Sequence, residues 1–206
     1  IAARHMKLPV SVEIAPSGTT AERVTQELFI VKKEAKLRLL GKLLAQYHGA
    51  VLLFSRTKHN AHKITRSIKE MGYRAAEMHS NRSLSQRREA LEGFKSGRYK
   101  VLVATDIAAR GIDVIGIELV INYDLPDDAG NYVHRIGRTA RAGHKGHAVS
   151  FATPDQSRDV RDIEKIIRIT LPISKHPEIS PEQFTPLESH LQDRELKRKF
   201  TYRRHR

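Results

Sequence analysis

The chain has 206 residues, 39% hydrophobic and 29% charged, enough for one core and too charged for a fibre or a membrane protein. It lacks the roughly 18 consecutive apolar residues of a membrane span, and Ile1 to Val10, with Arg4, His5 and Lys7, has no apolar segment of the secretory type. The absence of cysteine excludes disulfides and thiolate chemistry and fits a reducing, cytoplasmic setting, while 37 basic against 23 acidic side chains, a net +14, makes polyanions the first class of partner to consider.

In chain order, residues 1–22 hold Pro9, Pro16, Ser17, Gly18, Thr19 and Thr20 without periodicity and read as a linker. Periodic sequence then runs from 23 to 170. Leu40, Leu43, Leu44 and Tyr47 fall at helical spacing, followed by the short apolar run Val51–Phe54. Ala61, Ile64, Ile68 and Met71 predict a second helix, and Leu84, Leu91 and Phe94 a third. Val101–Ala104, Leu119–Ile121 and Ala148–Phe151 are further runs too short for helices and apolar on consecutive positions, as strands buried on both faces are. Tyr132, Val133 and Ile136 predict a helix through Asn131–Gly143, and Val160, Ile163 and Ile167 another. Beyond 170 the closely spaced Pro177, Pro181 and Pro186 break the pattern, so 171–206 reads as a flexible, basic C-terminal extension ending in Arg194 to Arg206. Strand and helix in alternation predict an α/β domain, a mostly parallel sheet with helices on both faces and ligands at the carboxyl ends of its strands.

Three segments carry the chemistry. In VLVATDIAARGID, Val101 to Asp113, a buried strand delivers Thr105 and Asp106 into a turn. Gly111 after Arg110 lets the backbone approach a phosphate or sugar, and Asp113 suits a ribose hydroxyl. An ordinary helix cap at Asp106 and a turn at Asp113 explain the same residues. In NYVHRIGRTARAG, Asn131 to Gly143, a continuous helix puts His134, Arg138 and Arg141 on one stripe and turns Arg135 about 100° away. Cations on one stripe repel unless an anion sits opposite, and arginine forks clamp phosphate oxygens; a solvated basic face is the alternative. The third set, Arg56 with its neighbours after Phe54 and Arg87 with Asn81 and Arg82, is suited to phosphodiester contacts on the same sheet edge. A phosphate-cradling G-x-x-x-x-G-K-[ST] loop is missing, since Gly41-Lys42 precedes Leu43, and His59/His62 and His144/His147 lack the companions of a metal site.

ATDIAARGID, YVHRIGRTAR and VLLFSRTK resemble motifs V, VI and IV of the DEAD-box RNA helicases, with the bacterial RhlE-like branch most similar. The resemblance, from about Val24 to Ala152, implies a RecA-like fold and the second, C-terminal domain of a two-domain, ATP-dependent RNA helicase. It implies that Asp113 and Gly111 contact the nucleotide, that Arg138 and Arg141 are arginine fingers and that His134 bridges to the DEAD motif of the other domain. Thr105, Arg110, Gly111, Arg56 and Arg87 would hold RNA. ATP is implied as cofactor, with Mg2+ and the phosphate cradle belonging to a preceding N-terminal RecA-like domain, so the 206-residue chain alone is expected to be inactive. RNA, that domain and RNA-processing or ribosome-assembly factors are the implied partners, with no membrane role. Two positions depart from the family: Ala140 replaces a glycine, a change a helix tolerates, and Leu84 replaces an RNA-contacting glutamine. A non-catalytic RNA-binding module and the equivalent domain of a DNA helicase are the competing readings. The basic tail, in addition, is expected to tether RNA without reading its sequence.

Overall fold

Consecutive apolar residues need a strand covered on both sides, and the structure supplies that cover. The computed structural model describes residues 24–109, 112–141 and 145–185. In order these form β1 (Val24–Ile30), a 3-10 turn (Lys33–Ala35), α1 (Lys36–Gln46), β2 (Ala50–Phe54), α2 (Lys58–Glu70), β3 (Ala75–Met78), α3 (Leu84–Lys95), β4 (Val101–Ala104), α4 (Asp106–Ala109), β5 (Ile117–Asn122), α5 (Gly130–Ile136), β6 (Gly146–Ala152) and α6 (Ser157–Ile167). The six strands make one sheet in the order β1-β6-β5-β2-β4-β3. All its pairings are parallel.

Alternate residues of each strand feed two cores. Val51, Leu53, Val101, Val103, Leu119 and Ile121 pack with Leu39, Leu40, Leu43 and Leu44 of α1 and Ala61, Ile64 and Ile68 of α2. Leu52, Phe54, Leu102, Ala104 and Val120 pack on the other side with Phe94 of α3, Tyr132 and Ile136 of α5, and Val160, Ile163 and Ile167 of α6. The predicted α/β architecture is therefore present, with helices on both faces. At the two ends of the predicted stripes, Met71 just past α2 and Leu84 opening α3 are exposed, not core.

Two strands go unpredicted: β1, although Leu28, Phe29, Ile30 and Val31 form an apolar run as long as the others, and β3, which has none. In β1 the buried Gln26 accepts a hydrogen bond from the Tyr132 hydroxyl at 2.9 Å. In β3 the buried Glu77 is held by His62 at 3.0 Å and by Arg82. Partners for these polar groups come from elsewhere in the chain, so local hydropathy misses β3, whereas the run from Leu28 to Val31 is a signal for β1.

The packed unit also extends past the predicted boundary at 170. Leu28 of β1 donates its backbone N–H to Pro172 (2.9 Å) and accepts from Ser174 (2.8 Å), making a parallel bridge with Ile173. Ile179 is buried in the core of α1 and α2, and Thr185 donates to the Pro154 carbonyl at 2.8 Å. Prolines exclude a helix here but not an extended strap, whose N–H groups between the prolines still find acceptors. The predicted linker 1–22 and the basic stretch from 186 lie outside the described residues.

Neighbouring strands β2 and β5 send their following helices to opposite faces, α2 to one core and α5 to the other. A crevice opens at their carboxyl ends, the topological switch point of an open parallel sheet. If 171–185 belongs to the folded unit, Ile179→Ala should lower the unfolding free energy by about 2–5 kcal/mol, read from urea denaturation; a loose extension would show no change.

Candidate functional site

The crevice is organised by Asp124, which follows β5. Its carboxylate accepts from Lys36 Nζ (3.4 Å), Ser55 Oγ (3.1 Å), the Arg56 N–H (3.1 Å) and Asn60 Nδ2 (3.0 Å). Burial opposes the charge, but the Lys36 ammonium and these donors outweigh it and hold the carboxyl below the ordinary range. Burial likewise lowers Lys36, whose Nζ also donates to the Tyr123 carbonyl at 2.8 Å. Asp124 thus ties the loop after β2 to the loop after β5. Arg56 emerges there, its Nε 3.0 Å from Asp127 and its Nη2 donating to the Leu125 carbonyl at 3.2 Å.

Thr105 continues from β4, its N–H donating to Met78 at 3.3 Å and its carbonyl capping Ala109 at 2.9 Å. Arg87 lies on α3 with a buried Nε that has no hydrogen-bond partner among the described residues. Arg110 and Gly111 lie outside the described residues.

Arg135, which the helical reading turned away from the site, proves to be the most connected side chain in it. It is 1% exposed. Its Nε and Nη2 grip both oxygens of Asp106 at 2.6 and 2.7 Å. Nη1 donates to Asn122 Oδ1 (3.1 Å) and to the Asp124 carbonyl (2.7 Å), and the guanidinium lies 5.0 Å over the Phe54 ring. Asn122 in turn donates to Ser150, whose hydroxyl donates to Tyr132. A signal was present in the sequence: Tyr132, Arg135 and Ile136 sit at i, i+3 and i+4, an arginine on the apolar stripe.

Helix α5 ends at Ile136 instead of running to Gly143. Gly137, Arg138 and Thr139 close hydrogen bonds back to Val133, Arg135 and Ile136, and Ala140 takes a left-handed φ of 55°. Ala140 is therefore not the helix residue the sequence suggested. It occupies a position where a Cβ is strained, which accounts for the family glycine. The three cationic groups are not a helical stripe, yet the arginines still converge. Arg138 Nη1 donates to the Ile112 carbonyl at 2.7 Å, and Arg141 Nη1 reaches the same carbonyl at 3.4 Å and Asp113 Oδ1 at 2.8 Å. Their Nε atoms bind the carbonyls of His134 and Gly137 at 3.2 and 2.9 Å. Neither Nη2 atom has a hydrogen-bond partner among the described residues. Burial, and then the charge of Arg141, lowers the pKa of Arg138.

The arginine pair lies on the flank of the sheet, not on its carboxyl edge. Thr139, between the two arginines, donates to the carbonyl of Ile117, the first residue of β5, at 2.5 Å. A cleft of about 260 Å3 lined by Phe54, Asp106, Asn131, His134, Arg135 and Arg138 joins the flank to the edge. His134 is exposed on its rim, and the Asp113 side chain is 84% exposed. Among the described residues no group of three His, Cys, Asp or Glu is placed to hold a metal ion.

The sequence pattern of the helicase conserved C-terminal domain matches residues 35–143. The ATP-dependent RNA helicases RhlB of Shewanella baltica (strain OS155) and Shewanella sediminis (strain HAW-EB3) are each 40% identical over 173 residues, 84% of this chain. The chain spans 40% of the length of these curated relatives. Both are RhlB proteins, and the RhlE-like placement read from the motifs stays an expectation. Among solved structures, the E. coli DEAD-box protein SrmB bound to regulator of ribonuclease activity A superposes with a TM-score of 0.73 at 32% identity, covering 79% of this chain and 96% of that one. S. cerevisiae Dbp5 bound to RNA and ADP BeF3 gives 0.69 at 32% identity, covering 76% of this chain and 44% of that one.

Two substitutions separate scaffold from exposed chemistry. Arg135→Ala orphans Asp106 and two buried acceptors and should cost about 3–5 kcal/mol in chemical denaturation, enough to unfold a marginal domain. Ala140→Gly should raise stability by about 1 kcal/mol by relieving the left-handed backbone; a loss in the same assay would contradict that backbone assignment.

Proposed function

Because the chain belongs to the helicase conserved C-terminal domain family, as the C-terminal domain of the DEAD-box RNA helicases, we propose that it is the second RecA-like domain of an ATP-dependent RNA helicase in which Arg138 and Arg141 are the arginine fingers. One observation carries this reading: two guanidinium forks converge on a single carbonyl beside an exposed carboxylate, each with an Nη2 that no described residue uses. A fold gains nothing from two adjacent arginines kept partly bare, whereas a phosphate group gains two donors. A non-catalytic RNA-binding module has no need of them.

ATP supplies the phosphoryl group whose transfer to water is coupled to RNA strand separation. Asp113 takes a ribose hydroxyl, with Gly111 allowing close approach, and in doing so releases Arg141 from the pairing seen at 2.8 Å. Arg138 and Arg141 then face the charge that develops on the transferred phosphoryl group. The phosphate cradle and Mg2+ belong to a preceding RecA-like domain, with which His134 on the rim of the cleft makes contact. Thr105, Arg110, Gly111, Arg56 and Arg87 hold the RNA backbone. Dbp5, which superposes on this chain, was solved with RNA and ADP BeF3, and SrmB with a protein regulator. These support nucleotide, RNA and regulatory or RNA-processing proteins as the partner classes. A cytoplasmic location, the linker role of 1–22 and RNA tethering by the basic tail complete the proposal.

In a two-domain protein carrying this chain, Arg138→Ala or Arg141→Ala should slow RNA-stimulated ATP hydrolysis on the order of 10³–10⁵-fold, about 4–7 kcal/mol, while nucleotide affinity changes far less. Unchanged turnover in either variant would refute the finger assignment.

A further inference from the structure

Beyond Lys58, which closes the VLLFSRTK motif, helix α2 carries a one-sided charge that neither the nucleotide site nor the RNA motifs use. Ala61, Ile64, Thr65 and Ile68 face the core. Lys58, His59, His62, Lys63, Arg66 and Lys69 are exposed, against a single acid, Glu70, which Arg66 binds at 2.9 Å. Lys58, Lys63 and Lys69 make no hydrogen bond or ion pair among the described residues. Cations at this spacing repel and weaken the helix slightly, so the fold is not what they serve.

The stripe starts where the proposed RNA contacts are. Thr57, the residue after Arg56, caps α2 by accepting from Asn60 N–H at 3.1 Å, so the helix begins at the carboxyl edge of the sheet. His62 binds Glu77, and Glu77 holds Arg82 in the loop that leads to Arg87. The two loops assigned to RNA therefore flank the first turns of α2. From there Lys58, His62 and Arg66 follow one another at about 6 Å along the helix axis. Lys63 and His59 also rim a cleft of about 650 Å3 beyond Arg56. Lys33, Lys36 and Arg56 line the same cleft together with Asp124, Asp155 and Asp159, so its charge is mixed, whereas the outward face of α2 is basic but for Glu70.

We propose that the outward face of α2 extends the RNA site, guiding single-stranded RNA past the edge of the sheet through its phosphates without reading sequence. This rests on the RNA-helicase reading above. Three or four phosphate contacts would each contribute about 0.7 to the log–log salt slope of binding.

The test measures binding of the full 206-residue chain to oligouridylates of about 6 and about 20 nucleotides over a range of salt. Lys63→Gln, Arg66→Gln and Lys69→Gln together should flatten the slope for the long oligomer by about 2 and weaken its low-salt binding on the order of tenfold. The short oligomer should bind as before, and the thermal midpoint should hold. If the threefold variant fails to fold, Lys63→Gln with Lys69→Gln should flatten the slope by about 1–1.5. An unchanged slope for the long oligomer overturns the proposal and leaves the face to an acidic protein partner. An equal loss on both oligomers overturns it as well, since α2 would then belong to the core contact. If the unsubstituted chain binds neither oligomer, the RNA reading itself falls.

Discussion

The buried bidentate pair between Arg135 and Asp106 is the contact on which the geometry of the site depends. Taking a guanidinium out of water is costly, and the cost is met only because both carboxylate oxygens, the Asn122 amide, the Asp124 carbonyl and the face of Phe54 are all in reach. These groups come from the ends of β2 and β5, from the loop after β5 and from the start of α4. One side chain therefore fixes, relative to one another, the turn that presents Thr105 and the helix that leads to Arg138 and Arg141. A lysine could not replace it, because an ammonium lacks the planar fork that holds both oxygens while donating elsewhere.

The parallel sheet separates two chemistries that the sequence places side by side. The loops after β2 and β4 put Arg56 and Thr105 at the carboxyl edge, where adjacent connections leave for opposite faces. The segment from Ile112 to the start of β5 runs along the flank and gathers Arg138 and Arg141 there. A ligand at the edge and another on the flank would each contact elements joined through Asp106 and Arg135. Movement of the motif that begins at Thr105 cannot occur without disturbing the helix that precedes the arginines.

Legibility from sequence followed one physical rule. Strands β2, β4, β5 and β6 could be read because burial on both faces demands consecutive apolar residues. Strand β3 could not, since Glu77 is buried against His62 and Arg82; β1 held a readable run, Leu28 to Val31, behind the polar opening Thr25-Gln26-Glu27. Asp113, Arg138 and Arg141 were legible as a group from their motifs, and they do meet. The backbone that brings them together was not, because Gly137 and the left-handed Ala140 replace a continuous helix by a turn. Arg135 was misplaced for the opposite reason: charge marks a residue as exposed unless its acceptors are known, and those acceptors lie in other segments.

The strap after α6 has a consequence for the isolated sheet. Strand β1 is an outer strand, and an outer strand with bare N–H and C=O groups is a template on which another chain can add. Here Pro172 and Ser174 occupy the groups of Leu28, and proline spacing keeps the strap from offering a ladder of its own. The opposite outer strand, β3, is only four residues long and carries an inward carboxylate at Glu77. Among the described residues each margin of the sheet is thus blunted by a different device, which disfavours the addition of a second copy strand to strand.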